Sequence, residues 1–267
     1  MFSLEYMRNA YIASTFIAIT CGIIGVFVIA RHMAFLSHTL AEIGFAGAAF
    51  GLFIGLSPLQ GMLIFTIISA LFVGQLGQLS NSNSQRESSI SAVSGIFMGM
   101  GILFLSLANK NASYATNILF GSVIGISYYD TIQLIILSII VILAVLLVYR
   151  KLTFDSYDPV GAHAQRLPSH FLALYFLLLL AVSVSISAQI VGSLLVFILL
   201  TLPSSTAKYL GNTIPQMLII AVSCALIGVW LGLYLGYLTN LPVTFFIALI
   251  EFIFYFVSLI YYRYQQK

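Results

Sequence analysis

Residues 130–149, DTIQLIILSIIVILAVLLVY, decide the fold. Asp130, at the leading edge, is the one charged residue in this run, and Arg150 and Lys151 follow it at once. A helix of about 20 apolar residues crosses the ~30 Å of bilayer hydrocarbon. Working outward, comparable apolar runs lie near 11–30, 39–56, 59–76, 90–108, 170–187, 189–203, 214–238 and 242–262. The run 189–203 is short and stops at Thr201, Leu202 and Pro203. It reads either as a separate, broken helix or as the tail of the run before it.

Composition points the same way. Hydrophobic residues make up 61% of the 267 and charged residues only 6%, against about 25% charged in a soluble domain. Ten basic and seven acidic side chains cannot cover a water-exposed surface on a chain of this length. The expected architecture is an all-α membrane protein, a polytopic bundle of 8–9 transmembrane helices with no room for a sizeable soluble domain. The net charge of +3 is too small to suggest nucleic acid. Cys21 and Cys224 sit singly in apolar runs and form no CxxC site. The N-terminal MFSLEYMRNAY lacks the basic region and small-residue cleavage site of a secretory signal, so the first run is expected to be retained.

The basic residues give the threading a direction. With 150–169 cytoplasmic and all nine runs spanning, Arg31, Arg86, Arg150, Lys151, Arg166, Lys208, Arg263 and Lys267 fall inside, and Arg8 and Lys110 outside. That satisfies the positive-inside rule, with the N-terminus outside and the C-terminus inside. If 170–203 were one element, the spans would number eight and both ends would share a side. Of the polar islands, 78–89 (QLSNSNSQRESS) reads as a hydrophilic loop, and 109–128 as an external loop with a re-entrant or interfacial segment. No GxxxxGK[ST] occurs, so the chain does not itself hydrolyse nucleotide by a P-loop.

Chemistry concentrates in SHTLAEIGFAGAAFG, residues 37–51. His38 and Glu42 are four apart and share a helix face. An ionisable group in hydrocarbon costs about 2.5–3.5 kcal/mol or more, and such groups usually line a cavity and act there. One imidazole and one carboxylate suit Zn²⁺ or Mn²⁺. Two ligands do not complete a site; the rest would come from other helices, water or a second copy of the chain. The bland alternative is a His–Glu pair that satisfies itself. Glu251, inside the last run, reads as a pathway group or an interhelical hydrogen-bonding group, and Asp130 as a helix cap beside the belt anchors Tyr128 and Tyr129. His32, His163 and His170 sit where histidines are solvated or structural. Glycines at spacing four (Gly47, Gly51, Gly55; Gly95, Gly99; Gly121, Gly125; Gly228, Gly232, Gly236) read mainly as tight helix packing. No HExxH, GxSxG or paired acid set is present.

The sequence resembles the membrane permease subunits of zinc/manganese ABC importers over nearly its whole length. RHMAFLSHTLAEIGFAGAAFG (31–51) is similar to that family's Arg-x-Met and Asp-Ala-Leu-Ser-His segment, and NILFGSVIGIS (117–127) to its Leu-Phe-Gly loop. DPVGAHAQRLP (158–168), QIVGSLLVFILLTLPSSTAKYL (189–210) and GLYLGYLTNLPVTFFIALI (232–250) match three further segments in the same order. In the family, the intramembrane metal pair is Asp followed four residues on by His. Here His38 and Glu42 stand at those positions, keeping one nitrogen and one carboxylate with the order swapped. Val160 and Arg166 replace the family's Glu and Gly, while Asp158, Ala162 and Pro168 match.

The resemblance implies one permease domain over 1–267, with a cytoplasmic coupling loop at about 150–169 in which Asp158, Pro159, Ala162, Arg166 and Pro168 engage a separate ATPase. It further implies a homodimer in the plasma membrane, two cytoplasmic ABC ATPase subunits, an extracellular metal-binding lipoprotein, and no permanently bound cofactor. The transported Zn²⁺ or Mn²⁺ would pass His38 and Glu42 by alternating access. The competing readings are a permease for a metal chelate or other small solute, a membrane-embedded metalloenzyme using His38 and Glu42, and a purely structural subunit.

Overall fold

Lipid offers backbone N–H and C=O groups no partner, so a spanning chain must satisfy them within a helix or a closed barrel. The computed structural model describes residues 5–76, 83–108, 118–119, 121 and 127–265. Among the described residues the order is α1 (Glu5–Ala30), α2 (Ala34–Ile54), α3 (Pro58–Leu76), α4 (Asn83–Leu107), α5 (Tyr128–Tyr157), α6 (Pro159–Ala164), α7 (Ser169–Val191), α8 (Ser193–Leu210), α9 (Ile214–Thr239) and α10 (Val243–Gln265). Seven helices are long and apolar enough to cross a membrane, and two shorter apolar stretches, Pro58–Val73 and Leu195–Leu210, lie in α3 and α8.

Several boundaries differ from those read in the sequence. α4 begins at Asn83, so the second half of the polar island 78–89 is helical. α5 passes Arg150 and ends at Tyr157; its 30 residues make about 45 Å of helix, longer than the hydrocarbon is thick. The loop at 150–169 therefore opens as a helix. α8 continues through Pro203 to Leu210, because a proline's missing N–H is tolerated where neighbouring helices re-satisfy the backbone. Most of 109–128, with the expected re-entrant segment, Lys110 and most of NILFGSVIGIS, lies outside the described residues, as does 77–82.

α7 and α8 are two elements that run in opposite directions. Phe176 of α7 packs edge-on against Phe27 near the end of α1, and Ser187, further along α7, meets Cys21 at 2.9 Å. On α8 the direction is reversed: Leu200 and Ser204 lie against Gly25, and Lys208 reaches a cavity it shares with Ala30, His32 and Tyr157. The reversal is made at Gly192 (φ 87°, ψ 150°), a backbone conformation that only glycine adopts freely. Val191, Gly192 and Ser193 are all buried, where irregular backbone is protected from lipid.

This favours the nine-run threading. Arg31, Lys208 and Arg263 share one end of the bundle, with Tyr209 and Tyr262 packed at 5.3 Å there, and Glu5 starts at the other. By the positive-inside rule the first of these ends is cytoplasmic.

The glycine ladders do packing work. Gly47 of α2 and Gly61 of α3 approach so closely that a methyl group on either would overlap the other's carbonyl oxygen. Gly228, Gly232 and Gly236 of α9 receive Glu251, Ile247 and Val243 of α10. Among the described residues, Gly95 and Gly99 of α4 have no such neighbour within 4 Å. Gly61→Leu should therefore destabilise the detergent-purified protein by about 1–3 kcal/mol through overpacking, read as a lower melting temperature. Leu147→Ala, at a position 86% exposed, should leave that temperature unchanged.

Candidate functional site

The α1–α2 turn consists of Arg31, His32 and Met33, with His32 at φ 54°. It is closed by Arg31 N–H donating to the Phe27 carbonyl and Met33 N–H to that of Val28, both at 2.9 Å. One turn into α2 stands His38, and Glu42 follows on the same face. His38 Nε2 lies 3.5 Å from Glu42 Oε1, with the side chains 36% and 22% exposed. That is longer than a normal N–H···O bond of about 2.7–3.2 Å. It suits two ligands each ~2.1 Å from a shared tetrahedral ion, which stand roughly 3.4 Å apart. Ser94 of α4 donates its hydroxyl to the other carboxylate oxygen, Glu42 Oε2, and so orients the carboxylate. The Phe197 ring of α8 lies 5.4 Å from the imidazole. His38 Nδ1 is buried with no hydrogen-bond partner.

The arrangement can therefore offer one imidazole nitrogen and one carboxylate oxygen to an ion. Among the described residues no group of three or more His, Cys, Asp or Glu could hold a metal. The pairing of His38 with Glu42 was legible from spacing. Ser94 and Phe197 come from distant helices and carried no sequence signal.

The second cluster lies at the end of the bundle that carries Arg31 and Lys208. Asp158 caps α6, its Oδ1 accepting from Gly161 N–H at 2.9 Å, and Pro159 fills the first helical position. Ala162 is fully buried while Val160 is 81% exposed. Leu167 N–H returns to the Ala162 carbonyl at 3.0 Å, Arg166 turns the chain at φ 56°, and Pro168 precedes α7. The five residues singled out in 158–168 thus build one short helix and its exit turn, anchored by Ala162.

One feature was missed in the sequence, where Arg31 counted as an inner-side charge and as part of the Arg-x-Met segment. Arg31 Nη2 donates to Asp155 Oδ2 at 2.7 Å and Nε to Ser156 Oγ at 2.8 Å. Its guanidinium carbon lies 5.2 Å from the Phe176 ring centroid. The two charged side chains are only 8% and 7% exposed. Burial lowers the Arg31 pKa from its ordinary value, and the Asp155 carboxylate opposes that shift.

Other polar residues resolve more simply. The cap of α5 is Ser127, which accepts from Asp130 N–H at 3.1 Å and donates to Asp130 Oδ2 at 2.7 Å, so Asp130 is the partner of the cap rather than the cap itself. Glu251 is fully buried, and among the described residues neither carboxylate oxygen has a hydrogen-bond partner, so the interhelical hydrogen bond read for it is not made there. His32, His163 and His170 are exposed.

The chain matches the ABC 3 transport family over residues 3–262. It is 33% identical over 258 residues to the Manganese transport system membrane protein MntC of Listeria monocytogenes, covering 96% of this chain and 91% of that one. It is 27% identical over 255 residues to the Manganese import system permease protein ScaB of Streptococcus parasanguinis, covering 95% and 90%. In fold it is similar to PsaBC from Streptococcus pneumoniae in complex with Fab, with a TM-score of 0.84 at 24% identity over 96% of this chain and 91% of that one.

The α6 geometry makes a direct prediction. Asp158→Ala removes the cap and should cost about 0.5–2 kcal/mol locally, seen as faster proteolytic cleavage within 158–168. Asp158→Asn, which can still accept from Gly161 N–H, should cleave at the parent rate.

Proposed function

The chain belongs to the ABC 3 transport family, and from that premise we propose that it is the membrane permease subunit of an ATP-driven importer of a divalent metal ion, with Mn²⁺ the favoured cargo and Zn²⁺ the alternative. The relatives named for manganese support the metal. The observation that carries the reading is the His38–Glu42 pair: two metal-ligating side chains on one face of α2, partly exposed, with the carboxylate held by Ser94.

Residues 1–267 form one permease domain. ATP is hydrolysed by separate cytoplasmic subunits, and a metal-binding lipoprotein delivers the ion from outside. Two copies of the chain pair in the plasma membrane so that two His38–Glu42 pairs face one path. The flank of α4 where Gly95 and Gly99 meet none of the described residues within 4 Å supports a second copy there. The lipid contacts the apolar outer faces of helices such as α5, where Leu143, Leu146 and Leu147 are exposed.

In the cycle, closure of the ATPase pair moves the coupling segment, α6 with Asp158, Pro159, Ala162, Arg166 and Pro168. The two copies rock, and the central path opens to one side and then the other. His38 and Glu42 contact the ion transiently. A half-complete ligand set per chain keeps binding weak enough for release.

The test is Mn²⁺ uptake into proteoliposomes holding the assembled transporter, with Zn²⁺ as competitor. His38→Ala and Glu42→Ala should each lower uptake by about tenfold or more, in line with the loss of a metal ligand or its support, and the double variant should abolish it. Uptake that survives the double substitution would remove His38 and Glu42 from the path. ATP-independent chemistry on a metal by this chain alone would favour a membrane-embedded enzyme instead.

A further inference from the structure

The buried Arg31–Asp155 pair joins the two clusters described above. Arg31 sits in the turn that leads into α2, seven residues before His38 and eleven before Glu42. Asp155 lies in the last turn of α5, three residues before Asp158, the cap of α6. The guanidinium is gripped from two helices at once: Asp155 and Ser156 of α5 accept its hydrogen bonds, and Phe176 of α7 lies beneath it. Phe176 in turn packs against Phe27, one turn before Arg31 on α1.

A pair so buried is a poor device for stability alone. Desolvating two charges offsets much of their attraction, and apolar side chains of similar volume commonly serve stability as well or better. What the ion pair adds is direction. Two hydrogen bonds from a planar guanidinium fix the end of α5 to the Arg31–Met33 turn that leads from α1 into α2 in one geometry. The chain from α6 to the metal pair is then continuous: Asp158 N–H bonds the Phe154 carbonyl at 2.9 Å, Asp155 and Ser156 hold Arg31, and α2 carries His38 and Glu42.

We propose that Arg31 and Asp155 are positioning residues that transmit the displacement of α6 to α2, so that the cytoplasmic motor and the intramembrane His38–Glu42 pair move as one body. This rests on the transport reading above. Neither residue need touch the ion.

The experiment uses the permease assembled with its ATPase in proteoliposomes and reads two quantities. The first is Mn²⁺ moved per ATP hydrolysed. The second is the nucleotide-dependent distance between spin labels on Phe53→Cys in α2 of the two copies, with Cys21 and Cys224 replaced by Ala; it reports whether α2 is moved and does not depend on what is carried. The central variant is Arg31→Met with Asp155→Leu, an apolar pair in place of the ionic one.

The expected result is a melting temperature near that of the parent and continued ATP hydrolysis. Mn²⁺ moved per ATP should fall about tenfold, the size of a typical coupling between sites, and the nucleotide-dependent distance change should be lost. If the double variant keeps both the parent ratio and the distance change, the pair is only an anchor and the proposal is overturned. If the double variant does not assemble, Arg31→Lys and Asp155→Asn are read by the same two criteria, with the same meaning. If the parent protein shows the distance change but moves no divalent metal, the transport reading fails and the mechanical link stands.

Discussion

Hydrocarbon provides no hydrogen-bond partner for a peptide group and no solvation for a charge, and the whole molecule follows from that constraint. Helices satisfy their own backbone. Irregular backbone is confined to protein interior, which is why the reversal at Gly192 occurs among buried residues and why Pro203 can sit inside α8. Charge is driven to the ends of the bundle or into pairs. Arg31 and Asp155, at the edge of the spanning region, pair and bury. His38 and Glu42, further in, remain partly exposed and lean on each other and on Ser94. Their partial exposure distinguishes them from Glu251, which is sealed against Gly228 and reaches no open surface.

Packing determines which parts can move together. The Gly47–Gly61 contact brings the backbones of α2 and α3 together with no side chain between them, and a contact of that kind leaves little room for sliding. The buried Thr66–Ser185 hydrogen bond, at 2.8 Å, extends the unit from α3 to α7. α2 is therefore braced by α3, and the turn that precedes it is held to the end of α5 through Arg31. A helix held in this way shifts as a rigid rod, and small displacements at one end become comparable displacements at the face that carries His38 and Glu42.

Sequence revealed the features governed by local rules. The apolar runs gave the helices, and the i, i+4 spacing put His38 and Glu42 on one face. It failed where distant residues meet. Arg31 and Asp155 are 124 positions apart, and nothing local to either marks the other. Ser94 stands in the apolar run 90–108 with nothing local to mark it as a partner of Glu42. The run at 189–203 stayed ambiguous because its real boundary is set by a single glycine conformation at Gly192, while Pro203, the obvious breaker, lies inside a helix that tertiary contacts support. The cap of α5 was misassigned for a related reason: Ser127 and Asp130 bond reciprocally, and either reads as a cap when seen alone.

The ligand chemistry bears on which ion passes. On the proposed two-fold arrangement, the path would present two imidazoles and two carboxylates with no thiolate, a set that accepts borderline and hard divalent ions. At any such nitrogen and oxygen site Zn²⁺ binds more tightly than Mn²⁺, following the general order of affinities for first-row metals. Affinity at His38 and Glu42 therefore cannot by itself make manganese the cargo. Preference for the weaker binder must come from geometry, from the protein that delivers the ion, or from release: an ion held too firmly by two His38–Glu42 pairs would stall a cycle that depends on letting go. A site with few ligands and a carboxylate steered by one serine hydroxyl fits that requirement, since weak, brief coordination passes the looser ion most readily.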